Sequence, residues 1–151
     1  MKKFSFELEK VLEFRDFEKQ QAEAELAKAL AVETEIQNNI NTIAEQYVNL
    51  KRYMKNSRDF ADIISMNQNI NLLNYQKEEL LKQLAEAKLV TEEKRGILLE
   101  CMKKTTALEK MKEAQYEEYK AQIQTIEKKK LDELASIKNS DEILNSASSE
   151  S

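Results

Sequence analysis

Residues 22–54 read AEAELAKALAVETEIQNNINTIAEQYVNLKRYM, and the spacing within them decides the fold. Ala22, Leu26, Ala29, Ile36, Ile40, Ile43, Tyr47, Leu50 and Met54 fall on one row of steps alternating between four and three, with Glu33 its polar member. A period of 3.5 residues lays an apolar seam along a helix, and that seam is buried only against another helix. Followed backwards, the row continues through Lys19, Arg15, Leu12 and Leu8. The first helix is therefore expected over about residues 5–56.

A second row runs through Ile70, Leu73, Leu80, Leu84, Ala87, Leu98, Cys101 and Leu108, with Lys77, Thr91, Lys94 and Thr105 as polar substitutes. Between the rows, Asn56, Ser57 and Asp59 are helix breakers, and Ser65 with Gln68 has the spacing of a capping box. These signals predict a turn over about 57–65 and a second helix over about 66–138. The ending NSDEILNSASSES is Ser-rich, with too few apolar residues to offset the entropy of ordering it, so residues 140–151 are expected to form a disordered tail. A connection of about ten residues lets the second helix fold back on the first. The fold class is all-α: two long helices in an antiparallel coiled-coil hairpin over residues 1–139. The same seams could also close between two chains.

Composition supports that reading. The 151 residues include one Gly, no Pro and no Trp, which leaves almost no turn chemistry, and 34% are charged. A net charge of −4 disfavours nucleic acid as a partner. The run Lys128-Lys129-Lys130 reads as a solvated helix face or a contact with an acidic partner. The chain has no His, no Gly-rich phosphate loop and no pair of Cys, so catalytic, nucleotide and metal readings lack their usual parts, and neither an enzyme nor a cofactor is expected. Cys101 reads as a packing thiol in a reducing cytosol, and carboxylate pairs such as Glu78 and Glu79 or Glu117 and Glu118 lie on solvated helix with no cleft to tune them. Gly96 is read as a tolerated surface glycine, or as a bend or close approach. No stretch is apolar enough to span a membrane, so a soluble cytoplasmic protein is expected.

Four of the five phenylalanines, Phe4, Phe6, Phe14 and Phe17, lie in the first 17 residues. Pairing outward from the turn exhausts the first helix near residue 120, leaving about 20 residues of the second helix projecting. The apolar frame also shifts after Leu108, to Tyr116, Tyr119, Ile123, Ile126, Leu131, Leu134 and Ile137. This end carries more apolar surface than a two-helix seam uses, the mark of a binding surface. Near the turn, Tyr53 and Tyr75 lie off the seam and make a second candidate surface.

The opening FSFELEKVLEFRDFEKQQAEAELAKAL, with Phe4, Phe6, Leu8, Val11, Leu12 and Arg15, and the late KKKLDELA, with Asp132, Glu133 and Ala135, resemble the bacterial flagellar export protein FliJ family. The resemblance implies a coiled coil similar to the central stalk of rotary ATPases, whose joined termini enter the pore of the hexameric flagellar export ATPase. On that basis Phe4, Phe6, Leu8, Val11, Leu12, Arg15, Asp132 and Glu133 would contact the ATPase ring. The resemblance further implies contact with the cytoplasmic domain of the export gate, here through Tyr47, Asn71, Tyr75 and Glu78, and handling of export chaperones. It implies a peripheral position at the cytoplasmic face of the inner membrane at the flagellar base. Two other readings stay open: a holding chaperone or escort for export substrates, and a self-associating structural coiled coil.

Overall fold

The computed structural model describes residues 2–149. Two helices make up the fold, α1 (Glu9–Asn56, 48 residues) and α2 (Phe60–Ser149, 90 residues), and no strand occurs among the described residues. They run antiparallel and pack against each other as a helical hairpin. The chain divides into two compact units, Phe14–Lys104 on one hand and Met1–Glu13 with Thr105–Ser151 on the other.

The unit Phe14–Lys104 holds the turn and most of the seam. Ala22, Ala29 and Ile40 of α1 are buried, as are Met66 and Ile70 of α2. Every α1 seam position from Arg15 to Met54 is buried or half-buried, and on α2 so are Ile63, Leu73, Leu80, Leu84, Ala87, Lys94, Leu98 and Cys101. Thr91, an interruption in the sequence pattern, is only 2% exposed. Its hydroxyl donates to Oε2 of Glu33 at 2.6 Å and lies 3.0 Å from the Ala87 carbonyl. Glu33 and Thr91, one polar member from each row, therefore meet and satisfy each other inside the seam.

The turn is tighter than the sequence pattern predicts. Only Ser57, Arg58 and Asp59 separate the helices, and α2 starts at Phe60, ahead of the expected 66. Asp59 is the cap: its Oδ1 accepts the Ala61 N–H at 3.1 Å, and its carbonyl accepts the Ile63 N–H at 3.1 Å. Capping at Asp59 makes the Ser65–Gln68 box unnecessary and brings Ile63 onto the seam. Asp62 in the first turn of α2 and Lys55 in the last turn of α1 complement the helix dipoles. Gly96 has open space where a Cβ would stand, so nothing approaches it closely.

At the far end α2 continues through residues 140–149, where a disordered tail is expected from composition. The stretch contains neither Gly nor Pro to stop a helix, and the Ser146 hydroxyl donates back to the Ile143 carbonyl at 2.9 Å. The expected tail's last two residues, 150–151, lie outside the described ones.

Candidate partner-binding site

The second unit is built around the N-terminal segment. Helix α1 starts at Glu9 and not near residue 5, because residues 2–6 are non-helical and a turn closes with the Glu9 N–H donating to the Phe6 carbonyl at 3.1 Å. In an extended segment, residues two apart share a face. Phe4 and Phe6 have that spacing and are half-buried and buried, while Ser5 and Glu7 are exposed. Phe6 is 5% exposed. The Phe4 ring packs edge-on to Tyr116, with centroids 5.2 Å apart, and lies 5.6 Å from Tyr119. The Tyr119 hydroxyl donates to the Lys2 carbonyl. Glu9 and Lys112 form an ion pair across the helices at 2.8 Å. The N-terminal segment is thus a strap fastened to α2 by aromatic rings and the Tyr119 hydroxyl, with the Glu9–Lys112 ion pair holding the start of α1 beside it.

Beside the strap, Lys120 lies 5.0 Å from the Tyr116 ring centroid and 3.0 Å from the Glu117 carboxylate, whose hydrogen bond and charge raise the lysine's pKa above its ordinary value. An open groove of about 420 Å³ runs between the strap and α2, lined by Phe4, Tyr119, Ile123 and Ile126 among others. Ile123 is the last residue of α2 that is not exposed.

The residues that sequence reasoning assigns to ring binding are placed unequally. Phe4, Phe6, Leu8, Val11 and Leu12 all belong to this unit, but Phe6 is core, and Phe4 and Leu12 are half-buried. Leu8 and Val11, 37% and 41% exposed and three residues apart, offer apolar surface to a partner. Asp132 and Glu133 are fully open on α2 but stand 13 positions beyond Tyr119, about 20 Å of helical rise, so they are not brought to the strap. Arg15 falls in the other unit, ion-paired to Glu18 at 3.0 Å, with its guanidinium 5.9 Å from the Phe14 ring centroid. Phe14 and Phe17, quoted in the opening but given no role, are more than half exposed. Their sequence signal was available: both lie off the seam.

The residues assigned to the export gate all lie in the unit Phe14–Lys104. Asn71, Tyr75 and Glu78 are exposed, and steps of four and three put them on one face of α2. Tyr75 borders a groove of about 550 Å³ whose lining is rich in amides, with Asn39, Gln46, Gln76 and Gln83. Tyr47 is half-buried in the seam, with the Lys51 ammonium 5.6 Å from its ring centroid.

Among the described residues, no helix is long and apolar enough to cross a membrane, and no cluster of His, Cys, Asp or Glu is placed to hold a metal ion. Searches of curated proteins and of solved structures gave no match. A comparison with protein-family models matches residues 4–142 to the family described as Flagellar FliJ protein. That match takes in Phe4 and Phe6, all of α1 and α2 as far as Glu142, and the chain belongs to this family, whose role is in flagellar export.

Proposed function

We propose that this chain is a non-enzymatic stalk and regulator of flagellar export. It binds the export ATPase ring through the strap and the start of α1. It meets the cytoplasmic domain of the export gate through the α2 face of Asn71, Tyr75 and Glu78, with Tyr47 on the seam of the same unit. It also assists the handling of export chaperones at the cytoplasmic face of the membrane. The observation that carries this reading is the fastened strap: Phe4 and Phe6 hold the start of the chain in one place, and Leu8 and Val11 remain exposed beside it. A partner then meets a pre-ordered apolar surface, which lowers the entropic cost of docking. Within the assigned set, Leu8 and Val11 make the ring contact, while Phe4, Phe6 and Leu12 position it. Arg15, Asp132 and Glu133 make separate polar contacts with the ring, away from the strap.

The test is ATP hydrolysis by the purified flagellar export ATPase with the full chain and with the double variant Leu8→Glu, Val11→Glu. Both positions are exposed, so the variant keeps its helicity. The full chain raises turnover and the double variant loses most of that stimulation. A folded full chain that neither binds the ring nor raises turnover would refute the stalk reading. Binding to unfolded export substrates in its place would favour an escort.

A further inference from the structure

Beyond Ile123, α2 runs to Ser149 with every residue exposed. The 3.5-residue period continues regardless: Glu127, Lys130, Leu134, Ile137, Asp141 and Leu144 follow one another at steps of three and four. Leu134, Ile137 and Leu144 are 63%, 59% and 67% exposed. Three of these six positions are apolar and three are charged, and no helix of the same chain is laid against them among the described residues.

The order of residues along the row identifies its partner. Lay the row on a reversed copy of itself with Leu134 opposite the partner's Ile137. Two-fold symmetry then gives two central apolar layers, flanked on each side by Lys130 facing the partner's Asp141. A shift of one heptad sets Ile137 against Asp141, or Leu134 against Lys130. A parallel pairing sets Lys130 on Lys130 and Asp141 on Asp141. Over residues 130–141 only the first register matches apolar with apolar and cation with anion; at the ends of the row it sets Glu127 against the partner's Leu144. In that register Leu131 flanks the seam, next to the aliphatic stem of the partner's Lys138.

We propose that residues 130–141 form a self-recognition surface through which two copies of this chain pair antiparallel. The apolar core is short, so the pairing is weak and reversible, with the dimer appreciably populated at about 100 μM. Asp132 lies on the outer face of the pair and Glu133 at its edge. The proposal does not depend on the ATPase-ring reading, and its test contains no ATPase in the deciding arm.

Sedimentation equilibrium of the full chain over a range of concentrations provides that test, with helicity checked by circular dichroism. The wild type dimerises reversibly. Lys130→Asp and Asp141→Lys each place like charges in both flanking layers and weaken the dimer by about tenfold. The double variant Lys130→Asp, Asp141→Lys restores the wild-type constant. A wild type that stays monomeric at several hundred micromolar would overturn the proposal, as would a dimer indifferent to the single reversals, the result expected of exchanged hairpins. A double variant as weak as the singles would overturn it too. If the wild type is monomeric and Lys130→Asp weakens binding to the ATPase ring, the surface belongs to the ring and self-pairing is excluded.

Discussion

Thr91 shows how a single polar side chain is accommodated in a seam one helix wide. Its hydroxyl is enclosed and committed to Glu33, so Thr91→Val, which keeps the shape and removes the donor, is expected to cost about 1 kcal/mol. Replacing both partners is different: Glu33→Leu with Thr91→Val removes the carboxylate's need for a donor and returns stability to the wild-type level or above it. Urea denaturation of the two variants checks the sign of that difference. At the other unit, Phe6 is the largest side chain buried in the strap, and Phe6→Ala is expected to cost about 3 kcal/mol where the loss is fully felt. Amide exchange at Glu9 reads it directly, since its N–H donates to the Phe6 carbonyl and freeing the strap breaks that bond. Lys120 is a smaller effect with a definite sign. Its pKa is raised above 10.5 by Glu117, so its contribution is complete below that pH and is lost only as the pH rises past the raised value. Neutral pH lies below 10.5, where the ammonium is charged in both states, so acidification to neutrality leaves this contribution untouched.

At the scale of the element, α2 carries two positions whose replacement has opposite effects. Gly96 sits mid-helix with open space at its Cβ direction, so Gly96→Ala is expected to stabilise the protein by about 0.5–1 kcal/mol through backbone entropy alone. Asp59→Ala removes the N-cap and is expected to cost about 1 kcal/mol. Thermal unfolding followed at 222 nm separates the two by the direction of the shift. The seam itself was legible because steps of three and four name the buried face without help from tertiary structure: Ala22, Ala29 and Ile40 were on the row and are buried. The helix ends were less legible. Asp59 and Ser65 are both competent caps, and the choice turned on Ile63, which extends the seam only if α2 starts early. The strap was hidden for a different reason, since Phe4 and Phe6, two apart, make too short a pattern to read until α2 offers Tyr116 and Tyr119 for Phe4 to pack on. The same packing turned Phe6 from a candidate contact into core, which no spacing rule distinguishes.

At the scale of the whole molecule, the governing quantity is how little surface folding removes from water. The chain exposes 12107 Å², whereas a compact protein of its mass exposes about 7,900 Å². Against an unfolded chain of about 25,500 Å², folding buries roughly half of the accessible surface, compared with about 70% for an ordinary domain of this length. That deficit follows from the composition: one narrow seam is all that 41% hydrophobic residues at a 3.5-residue period can bury when the remaining faces are charged. It also explains why the family and fold could be read from the sequence while the contact residues could not. The seam is periodic, but most of the remaining surface is exposed, and exposure alone does not rank Leu8 above Phe14 or Tyr75. The deficit has a measurable consequence, because the sensitivity of unfolding to denaturant scales with the surface exposed. The urea m-value of this chain is expected to be about three-quarters of that of a compact 150-residue domain. Equilibrium unfolding followed by circular dichroism at low protein concentration, where copies do not pair, measures it. An m-value equal to that of a compact domain would mean that the chain in solution buries far more surface than one two-helix seam provides.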